Sequence, residues 1–255
     1  MPFEVYNLND VTPEVLTRVS TTDEELDWAF GRKGGWGLVQ GKISLWSGER
    51  GVGKTRLLSQ LMKAWDKQGM SSMLFQGEVS PAQFAAEKMG GYKSLTNSIY
   101  ISPSVAIDDQ VDAIAHYAPN WVITDSVQQI EEYKGGRGAK EIVRKLRSVL
   151  EVTGTHVIFI SQLTTTGKTK GGTELPHEVD VECYLKKWAP SISPHLVGLT
   201  VAKNRYGESG KEVVMCHKDW GVEVQSQNRL RDGDWLGEHR GAAKPVKKKW
   251  FGLFG

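Results

Sequence analysis

The segment GERGVGKT is the feature that most constrains how this chain folds. It matches the phosphate-loop pattern GxxxxGK[ST] and lies between Lys42–Trp46, which predicts a strand, and Thr55–Lys67, which predicts a helix. The glycines let backbone N–H groups turn toward phosphate oxygens, and the helix adds the positive end of its dipole. We therefore expect the residues of this loop to bind a nucleoside triphosphate: Gly48, Glu49, Arg50, Gly51, Val52, Gly53, Lys54 and Thr55.

Two residues of this loop have specific expected roles, and a third residue joins them from elsewhere in the chain. Lys54 is expected to reach the β- and γ-phosphates, and the Thr55 hydroxyl is expected to ligate Mg²⁺. Asp125 ends the apolar run at 121–124, as a carboxylate that orients Mg²⁺ through water commonly does. The predicted cofactors are therefore ATP and Mg²⁺, with Thr55 and Asp125 as the metal-site residues.

Hydrolysis needs further polar groups near the γ-phosphate. Glu78 follows the strand-like run at 72–76, at a distance suited to polarising an attacking water. Its alternative role is to cap the helix that begins at Pro81. Gln162 follows the apolar run HVIFIS, where its amide is placed to sense the γ-phosphate. Glu78, Lys54 and Gln162 are thus the candidate catalytic residues.

Apolar runs alternate with helical patterns from residue 41 onward. This alternation predicts an α/β fold with a mostly parallel sheet flanked by helices. The runs 179–185, 196–202 and 211–217 follow one another without helical patterns between them, which predicts an antiparallel extension of that sheet. Two glycine-rich loops that carry basic residues, 131–140 and 164–178, leave the carboxyl ends of predicted strands, where open α/β sheets bind ligands.

The ordered motifs resemble a known family. GERGVGKT, Glu78 after a strand, VITDS, SQL and KNRYG at 203–207 occur in the order of the RecA-type ATPase core. The chain is most similar to the RadA/Sms family of bacterial recombination proteins, whose KNRFG signature differs from KNRYG by one residue. The segment STTDEELDWAFG at 20–31 and the loop that includes His177 and Asp180 agree with that family.

The resemblance implies a RecA-like core that assembles into rings or filaments with ATP at each subunit junction. Lys203 and Arg205 would then act in catalysis by reaching the γ-phosphate of a neighbouring subunit. The alternative interpretation is that both residues lie in a solvent-exposed basic turn without a catalytic role. The resemblance also implies that the two glycine-rich loops line a channel for single-stranded DNA, which requires no sequence preference. The loop residues expected to bind DNA are Lys134, Arg137, Lys168 and Lys170; the alternative is two flexible solvated loops.

The chain also departs from the family pattern. The family carries a four-cysteine zinc module and a carboxyl-terminal domain with a protease-like fold, whereas Cys183 is the first cysteine here and the chain ends soon after the core. These departures favour a minimal core of the kind found in phage recombination proteins. Tyr206 replaces the usual Phe, and Gln162 stands where the family often has His. The SQL form is also similar to replicative helicases of the DnaB type.

Composition divides the chain into three predicted parts: an amino-terminal segment 1–40, an ATPase core 41–228 and a basic tail 229–255. The tail holds seven Lys or Arg residues against three acidic ones and ends in KKKWFGLFG, while the net charge of the whole chain is only +2. It is predicted either to dock on a replication or recombination protein or on DNA, or to pack on the core. No apolar run approaches the length of a membrane span, so we expect a cytoplasmic protein of a bacterial or phage-infected cell.

The function expected from these features is an ATP-dependent recombination ATPase that binds single-stranded DNA and is stimulated by it. It would promote annealing, strand exchange or branch migration as a homo-oligomer. The alternatives are a hexameric DnaB-type helicase, an annealing protein for which ATP is an assembly switch, and a regulator that binds ATP and a protein but no DNA. Together, Glu78, Asp125, Gln162, Lys203 and Arg205 favour real hydrolysis over switching.

Overall fold

A computed structural model of the chain describes residues 15–31, 35–130, 132–133, 138–164, 174–218 and 221–225. The strands are β1 (Arg18–Val19), β2 (Leu38–Val39), β3 (Ile43–Gly48), β4 (Ser72–Phe75), β5 (Ile99–Ser102), β6 (Trp121–Asp125), β7 (His156–Gln162), β8 (Val181–Lys187), β9 (Leu196–Asn204), β10 (Glu212–Lys218) and β11 (Gly221–Val224). The helices are α1 (Glu24–Phe30), α2 (Lys54–Lys67), α3 (Pro81–Glu87), α4 (Ile107–Tyr117), α5 (Ala139–Thr153) and α6 (Glu174–Glu178), with a 3-10 turn at Val127–Gln129.

The main sheet has nine strands in the order β5-β4-β6-β7-β3-β8-β9-β10-β11. The strands from β5 to β8 pair in parallel, and β9, β10 and β11 continue the sheet in antiparallel pairing. This arrangement confirms the predicted α/β fold with an antiparallel extension. The phosphate-loop strand β3 lies in the interior of the sheet, so both of its faces are covered and all six of its residues are buried.

Apolar clusters cover the two faces of the sheet. One contains α1, α2 and the inward residues of β8 to β11, and the other contains α4 and α5. The predicted apolar face of α5 is confirmed, because Ile142, Val143, Leu146 and Leu150 are all buried. Burial of these faces is the main favourable contribution to the stability of such a layered fold. Within the described residues, no helix combines the length and the apolar composition needed to cross a lipid bilayer.

Helix α1 lies in the predicted amino-terminal segment 1–40, where no element was expected. Asp23 caps it by accepting hydrogen bonds from the N–H groups of Glu25 and Leu26, both at 2.9 Å. Leu26 and Phe30 are buried in the same cluster as the phosphate-loop helix α2. The described part of the segment therefore packs on the core of its own chain, while a domain boundary at residue 40 stays a prediction.

Helix α6 lies in the predicted glycine-rich loop 164–178, which corrects the carboxyl-terminal end of that loop. The helix has five residues, too few for a hydrophobic period to be recognised. Its carbonyl groups receive hydrogen bonds from side chains distant in sequence, which local sequence patterns do not reveal.

Asp66 of α2 connects the phosphate-loop helix to the segment before β5. Its buried carboxylate accepts hydrogen bonds from the Tyr92 hydroxyl, the Ser94 hydroxyl, the Leu95 N–H and both the N–H and hydroxyl of Thr96. Burial alone would raise the pKa of Asp66, but these hydrogen bonds outweigh it and lower the pKa to about 2. The ionised carboxylate therefore stabilises the folded chain.

We expect Asp66→Asn to lower the free energy of unfolding by about 2 kcal/mol at pH 7. Because the folded-state pKa lies below the ordinary value of 3.8, this stabilisation is fully present above that value and is lost as the pH falls toward 2. Urea unfolding of both proteins between pH 2 and 7 measures the difference. The exposed Asp112→Asn serves as the matched control and should change the stability by less than about 0.5 kcal/mol. A difference for Asp66 that does not depend on pH would contradict the assignment.

Candidate nucleotide site

The phosphate loop connects the buried end of β3 to the first turn of α2. Gly53 is the N-cap residue of α2, with φ at 90°, and it has no side chain with which to cap the helix. Gly51 also has a positive φ of 76°. A residue with a side chain adopts such values only with strain. The glycines therefore permit a curved loop whose helix N-terminus is open to an anion.

Lys54 folds back over the loop that precedes it. Its Nζ donates hydrogen bonds to the carbonyl oxygens of Gly48 at 2.8 Å and Glu49 at 2.9 Å. Burial lowers the pKa of Lys54, while the nearby carboxylates of Asp125, Glu49 and Glu78 oppose that effect. The ammonium group is thus held at the loop, where phosphate oxygens would compete with the two carbonyls for its protons.

Thr55, in the first turn of α2, contacts Asp125, the last residue of β6. The Thr55 hydroxyl donates to Oδ2 of Asp125 at 2.8 Å. Burial raises the pKa of Asp125, the Thr55 hydrogen bond lowers it, and the charge of Glu78 raises it again. A hydroxyl and a carboxylate oxygen side by side are hard ligands of the kind Mg²⁺ prefers alongside phosphate oxygens and water, so these two residues fit the ion.

Glu78 lies in a turn after β4 that two glutamine side chains hold. The Gln76 side-chain amide donates a hydrogen bond to the Val79 carbonyl at 2.6 Å and accepts one from the Val79 N–H at 3.1 Å. Gln129, from the 3-10 turn after β6, accepts a hydrogen bond from the N–H of Gly77 at 3.0 Å. The exposed Glu78 carboxylate acts electrostatically on both Lys54 and Asp125, so these groups share one site.

Gln162 also lies at this edge of the sheet. It ends β7 and is directly opposite Gly48 in the parallel pairing with β3. The next residue, Leu163, donates its N–H to the Gly48 carbonyl at 3.0 Å. The carboxyl ends of β4, β6, β7 and β3 thus bring together Glu78, Asp125, Gln162 and the phosphate loop, which is where ligands bind in open α/β sheets.

Lys203 and Arg205 lie apart from this site, against helix α6. Lys203 Nζ donates to the carbonyls of Pro176, His177 and Val179 at 2.8, 3.0 and 2.7 Å. Arg205 donates to the His177 carbonyl at 3.0 Å and pairs with the buried Asp180 at 3.2 Å. Within one chain, both cations therefore bind the carboxyl-terminal end of α6, where they complement its dipole.

Strand register places these two cations near the amino-terminal ends of the parallel strands. Their own phosphate loop lies at the carboxyl ends. Asn204 pairs with Val181 on β8, and Val181 pairs with Ser44 near the start of β3. The phosphate loop begins at the other end of β3, about 13 Å further along the strand direction. Within one chain, Lys203 and Arg205 therefore lie away from the phosphate loop.

The expected DNA-binding residues are not described by the structure. Lys134 and Arg137 of the first loop, and Lys168 and Lys170 of the second, lie outside the described residues, as does the tail at 229–255.

Three residues that support the site had not been identified from the sequence: Gln76, Gln129 and His217. Gln76 is a polar residue at the end of an apolar run, and the structure buries it. A polar side chain in such a position is a sequence signal for a structural hydrogen bond, because buried polar groups are almost always hydrogen-bonded. His217 Nε2 lies 3.0 Å from the carbonyl oxygen of Val52 in the phosphate loop, and no local pattern indicates this contact.

Comparison with curated proteins gives a consistent set of relatives, although no family model matches the chain. The DNA repair protein RadA of Campylobacter jejuni is 29% identical over 210 residues, covering 80% of this chain and 45% of the relative. The RadA proteins of Mycolicibacterium smegmatis and Aquifex aeolicus are both 27% identical, over 86% and 96% of this chain and 47% and 56% of the relatives. The chain spans about half the length of the curated relatives it matches.

The match to the Aquifex aeolicus protein covers 96% of the chain and therefore includes the region that holds the phosphate loop, Glu78, Asp125 and Gln162. This chain is therefore related to the RadA/Sms-like proteins of the RecA superfamily.

Proposed function

We propose that this protein is a DNA repair and recombination ATPase that hydrolyses ATP with Mg²⁺ and acts on single-stranded DNA. The observation that carries the proposal is the meeting of Lys54, Thr55, Asp125, Glu78 and Gln162 at one edge of the sheet. The name of the relatives, DNA repair protein, supports the proposed biological role. A cytoplasmic location in a bacterial or phage-infected cell is part of the same proposal.

Each side chain has a separate task in the proposed hydrolysis. Mg²⁺ would neutralise charge on the phosphates and orient them. The Lys54 ammonium would exchange its two carbonyl partners for β- and γ-phosphate oxygens. Glu78, whose carboxylate is exposed and carried on a fixed turn, would accept a hydrogen bond from the attacking water and turn its lone pair toward phosphorus. Gln162 would report the presence of the γ-phosphate to the segment that follows β7.

The proposed active unit is a homo-oligomer, a ring or a filament, with ATP at the junction between two subunits. Lys203 and Arg205 lie at the edge opposite to their own phosphate loop, so they are available only to a neighbouring site. There they would stabilise charge on the transferred phosphoryl group. The contacts of both cations with α6 would link that neighbouring site to this helix.

A mixing experiment tests this action across the junction. When Arg205→Ala protein is mixed with wild-type protein, we expect ATP turnover to fall more steeply than the fraction of wild-type subunits. The physical reason is that each variant subunit supplies a defective cation to an otherwise intact neighbour. Turnover is measured at a constant total concentration while the ratio of the two proteins is varied.

Arg147→Ala provides a matched control for that experiment. Arg147 binds the same Asp180 at 3.3 Å and the Glu178 carbonyl at 2.9 Å, but it belongs to α5 and not to the KNRYG turn. It should give a loss proportional to its fraction, or none. A proportional loss for Arg205→Ala as well would argue against action on a neighbour.

The proposed DNA contacts are made by Lys134, Arg137, Lys168 and Lys170. Their cationic side chains on glycine-rich loops suit a phosphate backbone and would bind all sequences alike. The tail at 229–255, with its basic and aromatic residues, is proposed to dock on a partner protein or on DNA.

The experiment that tests the proposed function is a steady-state ATPase measurement with single-stranded DNA, with duplex DNA at the same salt concentration, and without DNA. We expect stimulation by single strands and little by duplex. A slow rate that is indifferent to DNA would contradict the proposal. Gel shifts with and without ATP would then show whether the protein is an ATP-switched annealing protein or a regulator that binds no DNA.

A further inference from the structure

Strand β10 ends directly against the phosphate loop. His217, near its carboxyl end, has Nε2 at 3.0 Å from the carbonyl oxygen of Val52. The imidazole ring also lies against Gly53, so closely that a methyl group on Gly53 would overlap it. One side chain from the antiparallel extension thus contacts two consecutive residues of the loop that is expected to hold the phosphates.

The protonation state of this histidine follows from its surroundings. Burial lowers the pKa of His217, the Val52 carbonyl opposes this, and the charges of Arg56 and His195 lower it further. The ring is therefore neutral at pH 7 and carries one proton. A carbonyl oxygen only accepts, so that proton is on Nε2 and is donated to Val52. Nδ1 is buried and has no hydrogen-bond partner among the described residues, so the Val52 contact is the hydrogen bond that the ring makes there.

Two further contacts attach the same hairpin to the helix that follows the loop. The Arg56 guanidinium donates to the carbonyl of Lys218, the residue after His217. On the second strand of the hairpin, the Val222 N–H donates to Oε1 of Gln60 at 2.7 Å. The hairpin β10–β11 consequently holds both the loop and the first two turns of α2.

We propose that His217 is a positioning residue for nucleotide binding, which holds the Val52–Gly53 peptide so that the loop is shaped before the phosphates arrive. This inference rests on the proposed function, because it assigns a role at the same site. A loop that already has its bound shape loses less conformational entropy when the nucleotide binds. The contact is made in the absence of nucleotide, and we expect it to be kept when nucleotide binds, so that it strengthens binding of the ground state and of the transition state equally. Such uniform binding affects KM and the dissociation constant and leaves kcat nearly unchanged.

The test compares three substitutions that separate the hydrogen bond from the packing. In His217→Gln, the side-chain amide nitrogen is as many bonds from Cα as Nε2 of the histidine is. It can therefore donate a hydrogen bond to the Val52 carbonyl. In His217→Asn, the amide is one bond shorter and cannot reach. His217→Phe keeps a ring over Gly53 but has no donor, and it serves as the second variant if the Asn protein folds poorly.

Titration of the full chain with the fluorescent nucleotide methylanthraniloyl-ADP gives the dissociation constant, and steady-state kinetics give KM and kcat for ATP. We expect His217→Asn and His217→Phe to raise the dissociation constant and KM about fivefold to tenfold, the effect of one lost hydrogen bond. We expect His217→Gln to stay within about twofold of wild type, and kcat of all three to stay within about twofold.

The inference is overturned if the Asn and Phe proteins bind the nucleotide as tightly as wild type, if Gln is as weak as Asn, or if kcat falls while binding is unchanged. In each of these cases the proposed function stands, because wild type still binds and hydrolyses ATP. Wild-type protein that binds no methylanthraniloyl-ADP would instead contradict the proposed function, and this inference with it.

Discussion

Lys54→Ala is expected to reduce the rate of ATP hydrolysis about 100-fold to 1000-fold, the range seen when one preorganised donor to a developing negative charge is removed. The Lys54 ammonium is held at the phosphate loop by the Gly48 and Glu49 carbonyls, at 2.8 and 2.9 Å. Its burial makes its electrostatic interactions stronger than those of a solvated lysine. The measurement is the steady-state ATPase rate at saturating Mg²⁺, together with the affinity for nucleotide.

Lys67→Ala is the matched control for that experiment. Lys67 is the last residue of the same helix α2, and it is exposed. It lies about 20 Å from Lys54 along the helix axis. Its replacement should leave the ATPase rate within about twofold of wild type. Normal turnover in Lys54→Ala would refute the assignment of the loop as the nucleotide site.

Glu78→Gln is expected to lower kcat about 100-fold to 10,000-fold while nucleotide binding is retained, because an amide cannot accept a proton from the attacking water. The substitution preserves the size of the side chain, and the turn that carries it is held by Gln76 and Gln129 rather than by Glu78 itself. The loop should therefore keep its shape. Single-turnover hydrolysis and nucleotide titration measure the two effects separately.

Glu87→Gln controls for the loss of a negative charge on this part of the surface. Glu87 ends helix α3, is exposed and accepts a hydrogen bond from Gln83 at 2.9 Å. We expect its kcat to match wild type. If Glu78→Gln hydrolyses ATP at the wild-type rate, Glu78 is not the group that activates the attacking water. Its alternative role, capping α3, belongs to another residue. In the structure the cap of α3 is Ser80, whose hydroxyl accepts from the Gln83 N–H at 3.2 Å.

The order of strands and helices from β3 to β10, apart from the short helix α6, was predictable because its signals are local. The apolar runs that end in Gly48, Asp125 and Gln162 are short, and a polar or glycine residue marks the end of each. Parallel strands align their carboxyl ends at one edge, so polar residues that end separate strands were expected to meet there. Their meeting in the structure follows from β4, β6, β7 and β3 being consecutive neighbours.

The short helices α1 and α6 were not predictable, since neither is long enough to display a hydrophobic period. Helix α1 forms because Asp23 caps it and because the cluster around α2 buries its apolar side chains. Lys203 and Arg205 donate hydrogen bonds to carbonyl groups of helix α6 that lie more than 20 residues away along the chain. The same pairing gives the KNRYG turn an intrachain role that its similarity to a family signature does not indicate.

The sequence by itself determined the phosphate loop, the mostly parallel sheet and the set of residues at its carboxyl edge, because these depend on backbone freedom, apolar period and strand direction over short segments. Only the tertiary structure decided which side chains support that site. His217 contacts Val52 across 165 residues of sequence, and Gln129 reaches Gly77 across 52. Such contacts form between strands and turns that become neighbours only when the sheet is assembled, and the pairing of distant strands is a property of the whole chain.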